Sequence, residues 1–402
     1  MSNNKKILYI HQYFKTPEEP GGTRSYWFSI ELIKNGYDVI MITSRPKQKK
    51  LIEKQVIDGI EVIYIKNFYS NNMGILRRMI AFFNFMIKSA WIALFQRDIH
   101  LVFATSTPLT VGIPALLMRW IRRVPYVFEV RDLWPEVPIQ MGALKNPLLR
   151  KLALMLEKTI YHNAIHIIAL SPGMKDGVIN KGIEASKVSI IPNMSKIDKF
   201  WQRTKNKLIA EKFNIDLKKM NVIHFGAMGK ANGLEYILKS AERLKNMGIN
   251  SINFIFMGKG AVKKNMIFII KEKRLTNVQI IDAQPMGVVS EIVNLCDVSM
   301  VPFANIPILQ TNSPNKLFDS LSAGIPVIVN SAGWTKDLLE KYSCGVYVDP
   351  DNPQELADTL IKWSRKREKV LEMGRNSRKL AEKVYDKSIL SKKFVSIMDK
   401  LL

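Results

Sequence analysis

The chain of 402 residues is long enough for two to three domains at roughly 150 residues each. Its 47% apolar and 24% charged residues suit a globular protein and exclude a disordered or collagen-like chain. Lys and Arg number 60 against 35 Asp and Glu, and this formal charge of +25 favours nucleic acid, an anionic membrane leaflet or phosphorylated small molecules as partners.

Short apolar runs alternate with amphipathic segments twice over. Strands are predicted at 7–10, 38–43, 61–65, 100–104, 126–130, 165–170 and 188–191, with a first helix near 24–35. The polar, unpatterned stretch 195–208 reads as a linker. A second series of strands is predicted at 222–225, 253–257, 278–281, 298–301, 327–329 and 345–348, with helices near 234–246, 313–323 and 353–366. Such alternation implies parallel sheets built from right-handed βαβ units. The reading is α/β: a domain over 1–194, a second over 195–385, and a C-terminal helix, 386–402, returning to the first.

Gly74 to Phe95 is the longest apolar stretch, but Arg77, Arg78 and Lys88 interrupt it. A charge at the bilayer centre costs roughly 2.5–3.5 kcal/mol, so a helix lying in the membrane interface, or buried on one side, is expected rather than a span. Leu109 to Arg123 has the same character, with Arg119, Trp120, Arg122 and Arg123 at its end. Cations beside aromatics such as Trp91 and Trp120 suit an anionic lipid surface. The opening MSNNKKILYIHQYF lacks the pattern of a signal peptide. Cys296 and Cys344 are too few for a disulfide framework or a cysteine-based zinc site, and a reducing cytoplasm is the expected home.

In open α/β sheets, ligands bind at the carboxyl ends of strands, so the loops after each apolar run are the places to search. The first holds Pro20-Gly21-Gly22-Thr23-Arg24 before a helix, with Thr23 as its expected cap. Two glycines permit close backbone approach, and free N–H groups at the helix start favour an anion. Arg131-Asp132-Leu133-Trp134-Pro135-Glu136 follows another predicted strand, and its ionisable groups suit acid–base or charge-stabilising work. Gly226-Ala227-Met228-Gly229-Lys230-Ala231-Asn232-Gly233 opens the second half and reads as a phosphate cradle. Its spacing is neither the P-loop nor the dinucleotide fingerprint. Asn312-Ser313-Pro314-Asn315-Lys316-Leu317-Phe318-Asp319 enters a helix, with Ser313 as the expected cap, Pro314 at the first helical position, and Lys316 and Asp319 on one face. Asp349-Pro350-Asp351 looks like a metal-binding DxD but reads as a helix-start turn. His11 and His224 fall near strand ends, whereas His100, His162 and His166 are scattered.

GGTR after the first strand, RDLWPE, GAMGKANGLEYIL and SPNKLFDSLSAGIPVIV together resemble the GT-B, family-4 glycosyltransferases over most of the chain. The likeness is nearest to the bacterial O-antigen and capsule subgroup, similar to WbuB-type N-acetyl-L-fucosaminyltransferases. The resemblance implies two Rossmann-like, doubly wound domains facing across a cleft. It implies metal-independent transfer with no cofactor, usually with retention of anomeric configuration. A UDP-sugar donor would lie on the second half, at Gly226, Gly229, Lys230, Asn232, Pro314, Asn315, Lys316, Leu317 and Asp319, with Gly21 and Gly22 admitting its phosphates. Lys230 and Lys316 would neutralise the leaving diphosphate, with Arg131 and Asp132 completing the catalytic set. Asp319 takes the place of the second glutamate of E-x7-E, while Thr311 stands where the first is expected. Ala227 and Asn232 stand where many members carry phosphate-binding cations, and Arg131 stands at a histidine position. The acceptor, a polyprenyl-diphosphate-linked sugar, would meet Arg24, Ser106 and Trp134. The charge surplus then fits peripheral attachment to the inner face of the cell membrane, and no nucleic-acid signature is present. The alternatives are a GT-B UDP-sugar 2-epimerase, which needs no membrane face, and a non-catalytic nucleotide-sugar or membrane-binding protein.

Overall fold

A computed structural model describes residues 4–19, 21–69 and 73–402; Pro20 of the first glycine loop lies outside them. The chain forms two units, Met1–Pro192 with Lys387–Leu402, and Asn193–Asp386.

The first unit carries β1 (Lys6–Ile10), β2 (Asp38–Arg45), β3 (Ile52–Ile57), β4 (Ile60–Lys66), β5 (Leu101–Thr105), β6 (Tyr126–Val130), β7 (His166–Ala169) and β8 (Val188–Ile190). Their order is β3-β4-β2-β1-β5-β6-β7-β8. Every pairing is parallel except β3 with β4. β5 and β6 are buried along their whole length, as strands covered on both faces must be. The sequence reading missed β3, whose residues IEKQVI are mostly exposed. The missed signal is the turn Asp58-Gly59, both with positive φ, which is hairpin chemistry between two isoleucines. The last helix, Lys387–Leu401, belongs to this unit: Phe394 stacks on Phe28 at 4.1 Å between ring centroids, and the Tyr37 hydroxyl donates to Asp399 at 2.5 Å.

The second unit carries β9 (Met220–Ala227), β10 (Ile252–Lys259), β11 (Val278–Ile281), β12 (Val298–Val301), β13 (Val327–Val329) and β14 (Gly345–Tyr347), in the order β11-β10-β9-β12-β13-β14. All pairings are parallel, and this order is that of a doubly wound nucleotide-binding sheet. One apolar cluster gathers Leu234, Ile237, Leu244, Leu356, Leu360 and Trp363. A second gathers Phe200, Ala210, Ile292, Leu295 and Ala323.

The expectation of a linker at 195–208 is corrected by this packing. Ser195 bridges to Asp386, Phe200 is buried, and Asn206 caps the Lys207–Lys212 helix by accepting from Ile209 N. The segment is polar because it bonds to partners in the fold. Ser195 N donates to Tyr385 O at 2.7 Å, and Ser195 Oγ donates to Phe318 O at 3.0 Å. Strand order reverses between β1 and β5 and between β9 and β12, which places one ligand-binding switch point in each unit.

Candidate functional site

At the second switch point, β9 runs directly into the glycine loop. Gly226 has φ +113°, and a Cβ there would lie 3.8 Å from Lys316 Cε. Gly233 is left-handed at φ +55°, and a Cβ would sit 2.8 Å from both Ala304 N and Phe303 O. Only glycine combines that backbone with that approach.

Lys316 comes from the first turn of the Asn315–Ala323 helix. Its Nζ donates to Asn232 Oδ1 at 2.9 Å and lies 3.4 Å from His224 Nε2. Asn232 Nδ2 donates in turn to Ala227 O at 3.0 Å. Burial pulls the Lys316 pKa from 10.5 down to about 7. His224 is held well below its ordinary value by burial, then by the Lys316 charge. Among the described residues no carboxylate pairs with Lys316, and a cation so held at a helix start suits an anion. The structure thus brings Gly226, Asn232 and Lys316 together, with Gly229 beside Asn232. His224, read from sequence only as near the strand end, forms the floor. Lys230 stands exposed on a short 3-10 turn, Lys230–Asn232, whereas Lys316 is half-buried.

Three expectations for the neighbouring segment change. Ser313 does not cap the helix: Pro314 occupies the cap position, and the Ser313 hydroxyl faces Asn193 N at 3.4 Å. Leu317 is fully buried and its N–H is bonded to Pro314 O, so its side chain is core rather than a donor contact. Asp319 does not share an open face with Lys316; its carboxylate meets Lys196 Nζ at 3.1 Å, with both side chains 9% exposed. Burial raises the Asp319 pKa and Lys196 opposes that rise. Asp349 and Asp351 form a turn before the Pro353–Arg365 helix: Asp351 N donates to Asp349 Oδ1 and Asp349 N to Glu355 Oε2.

At the first switch point, Arg24 and Ser106 are braces rather than open contacts. Arg24 is 3% exposed. Its Nε donates to buried Glu129 at 2.8 Å, and its other nitrogens donate to Ile191 O, at 2.7 Å, and Pro192 O. Ser106 is buried and accepts the Arg131 N–H at 2.9 Å, fixing the loop after β6. Thr23 makes no capping bond; its hydroxyl accepts from Trp27 Nε1 at 3.1 Å. Arg131 Nη1 lies 3.3 Å from His11 Nε2, and His11 Nδ1 lies 2.8 Å from Ser25 Oγ. Burial pushes the Asp132 carboxyl up to about 6, against the pull of Arg131. Gly21 has φ +143° and packs near the Lys15 side chain, while Gly22 is half-buried beside it.

The Ile75–Leu94 helix buries Ala81, Phe85 and Ala93 and exposes Leu76, Ile80, Phe83, Ile87 and Trp91 at helical spacing. Arg77 is exposed, with Lys88 half-buried farther along. Arg78 is also half-buried, so it departs from the exposed cations expected there. On the next helix, Gly112–Ile121, Trp120 and Ile121 are exposed, along with Arg119 and Arg123. Trp120 Nε1 donates to Asn163 at 3.1 Å, and Arg122 donates to Leu94 O. Among the described residues, no helix is long and apolar enough to cross a membrane.

Residues 205–380 match the family model described as glycosyl transferases group 1, and residues 21–194 match the glycosyl transferase 4-like domain. The putative colanic acid biosynthesis glycosyl transferase WcaI of Escherichia coli (strain K12) is 23% identical over 278 residues, 67% of this chain and 66% of that protein. The chain therefore spans just under two thirds of that curated relative's length. Among solved structures, sucrose-phosphate synthase from Thermosynechococcus elongatus superposes with a TM-score of 0.77 at 14% identity, covering 99% of both chains. Anabaena HepE, in complex with UDP and glucose, does so with a TM-score of 0.72 at 17% identity, covering 98% of this chain and 100% of that one. Two doubly wound sheets, a group 1 second half and a 4-like first half place the chain in the GT4-like, group 1 glycosyltransferases of GT-B fold.

Proposed function

We propose that this glycosyltransferase moves a sugar from a UDP donor on its second unit to a sugar on a polyprenyl diphosphate, in the assembly of a bacterial O antigen or capsule. The observation that carries the reading is Lys316: a half-buried cation against Asn232, beside Gly226, at a helix start. That arrangement suits a diphosphate, whose negative charge grows as the sugar departs. The names of WcaI and HepE support a polysaccharide product and a UDP donor. The donor sugar we favour is an N-acetylated deoxysugar, N-acetyl-L-fucosamine, on the subgroup likeness of SPNKLFDSLSAG and RDLWPE.

Transfer proceeds without a metal. Lys316, with Lys230 able to reach in from the exposed turn, offsets the leaving diphosphate. In a front-face reaction a leaving phosphate oxygen takes the acceptor hydroxyl proton, and the new glycosidic bond forms on the face the diphosphate leaves. The apolar, cation-flanked helices of the first unit support docking on the anionic inner face of the cell membrane, where such an acceptor resides.

The test incubates the enzyme with membranes carrying polyprenyl-diphosphate-GlcNAc and a panel of UDP-sugars, following UDP release and lipid extension. Extension with one donor, lost in Lys316→Ala, is expected. Donor conversion without extension, or extension that survives Lys316→Ala, overturns the reading.

A further inference from the structure

The loops around the first switch point carry a circuit of contacts that no catalytic step above uses. It starts at Arg131, whose Nη1 lies 3.3 Å from His11 Nε2. His11 meets Tyr13 edge-on at 6.5 Å between centroids. Tyr13 packs on Tyr69 at 5.1 Å, Tyr69 stacks on Phe82 at 5.5 Å and 26°, and Phe82 meets Trp134 edge-on at 6.4 Å. Trp134 stands on the same loop as Arg131, and its N–H donates to Asp132 O at 3.0 Å, so the circuit closes.

Its members come from separate places in the chain. His11 and Tyr13 follow β1, Tyr69 follows β4, Phe82 rides on the Ile75–Leu94 helix, and Trp134 follows β6. The burial of the rings separates them from ordinary core. Tyr9, Phe14, Phe85 and Phe103 in the same unit are buried to 1% exposure or less. Tyr13, Tyr69, Phe82 and Trp134 are each half-buried, packed on one side and open on another. Apolar packing alone favours complete burial of such rings. A half-open aromatic row at the carboxyl end of a parallel sheet is placed for a ligand.

The charges nearby fix the ligand's chemistry. Arg131 closes the circuit, and Arg78 stands four residues before Phe82 on the same helix, so a second guanidinium rises from the face that carries that ring. Arg78 Nε is buried without a hydrogen-bond partner. Flat aromatic faces match the C–H face of a pyranose, and a guanidinium matches a phosphate.

We propose that Tyr13, Tyr69, Phe82 and Trp134, with Arg131 and Arg78, form a subsite for a glycosyl phosphate, the head of the acceptor. The assignment rests on the transferase reading given above and adds Tyr13, Tyr69, Phe82 and Arg78 to Trp134 and Arg131, which the sequence reading had already drawn to this side of the reaction. The apolar stripe of Leu76, Ile80 and Ile87 lies on the same helix as Phe82, so a lipid tail attached to that phosphate would have an apolar surface to follow.

N-acetylglucosamine 1-phosphate is the probe, titrated into the full chain and followed by ligand-observed NMR in saturating UDP. UDP affinity and thermal midpoint are measured alongside. Binding that persists with UDP present is expected. Phe82→Leu and Trp134→Leu each weaken it roughly 3- to 10-fold, the scale of one aromatic contact. Trp134→Phe retains most of it, and UDP affinity stays within about twofold. Displacement of the probe by UDP, absence of probe binding in a protein that binds UDP, or unchanged probe affinity in folded leucine variants overturns the subsite alone. Loss of both UDP and probe binding in the wild type overturns the transferase reading together with the subsite.

Discussion

Lys196 and Asp319 stand 123 positions apart in sequence, yet their charged groups meet at 3.1 Å with both side chains 9% exposed. The pair ties the start of the second unit to the helix that carries Lys316. Removing one member strands the other charge in a poorly solvated place, at a cost of about 3–5 kcal/mol. Lys196→Met and Asp319→Leu are each expected to lower the thermal midpoint of the second unit sharply. The double variant Lys196→Met/Asp319→Leu recovers most of the loss. Calorimetry of the three variants checks this, and additive losses in the double variant contradict it.

Lys316 links the proposed donor site to pH. Its pKa falls from 10.5 to about 7 through burial. Between those values the unfolded chain holds a proton that the folded chain lacks, so this residue makes stability rise with pH from about 7 to about 10.5. Below pH 7 both states are protonated and its contribution is flat. An anion beside Lys316 raises its pKa again, so UDP binding takes up a proton and affinity falls as pH climbs from 7 to 9. Calorimetric titrations in buffers of different ionisation enthalpy read the proton directly. Lys316→Met is expected to abolish both the uptake and the slope.

Gly226→Ala sets a methyl group into the proposed donor site. The position has φ +113°, and the new Cβ would lie 3.8 Å from Lys316 Cε. Backbone strain of about 1–3 kcal/mol is expected from that φ, while the methyl only touches the Lys316 side chain at ordinary contact distance. UDP affinity should drop roughly tenfold, equivalent to 1.4 kcal/mol. Gly287→Ala, whose Cβ meets nothing within 4 Å, serves as the neutral control.

Trp91 and Trp120 are 65% and 56% exposed on neighbouring helices of the first unit. Trp91→Glu/Trp120→Glu removes apolar area and adds charge that an anionic surface repels. Sedimentation with phosphatidylglycerol vesicles is expected to fall at least about tenfold, with the thermal midpoint unchanged because neither ring is core. Equal retention of wild type and variant would remove these helices from the membrane face.

The alternating apolar runs were legible because parallel strands buried on both faces leave an unbroken signature, as β5 and β6 do. The glycine loop after β9 and Lys316 drew attention by their places at helix starts, and the fold sets Gly226, Asn232 and Lys316 side by side. What escaped the reading depended on partners distant in sequence. Arg24 looked like an open contact at a loop end, but its guanidinium is spent on Glu129, Ile191 and Pro192. Ser313 looked like a cap, but its hydroxyl faces Asn193, 120 positions earlier. The stretch after Ser195 looked unpatterned because Lys196 and Ser195 answer groups on the 313–319 segment, not a periodic face of their own. β3 was hidden by its exposed, polar composition, although Asp58-Gly59 announced its hairpin.

The Phe28–Phe394 stack has a consequence for how the molecule is made. Phe394 and the helix around it leave the ribosome only after the whole second unit, while Phe28 and Phe103, which Phe394 covers, emerge near the beginning. At about 5–20 residues per second that interval is on the order of tens of seconds. Throughout it, the first sheet waits with part of its apolar surface uncovered, a task for chaperones. A chain cut short before Lys387 would carry a complete second unit and an incomplete first one.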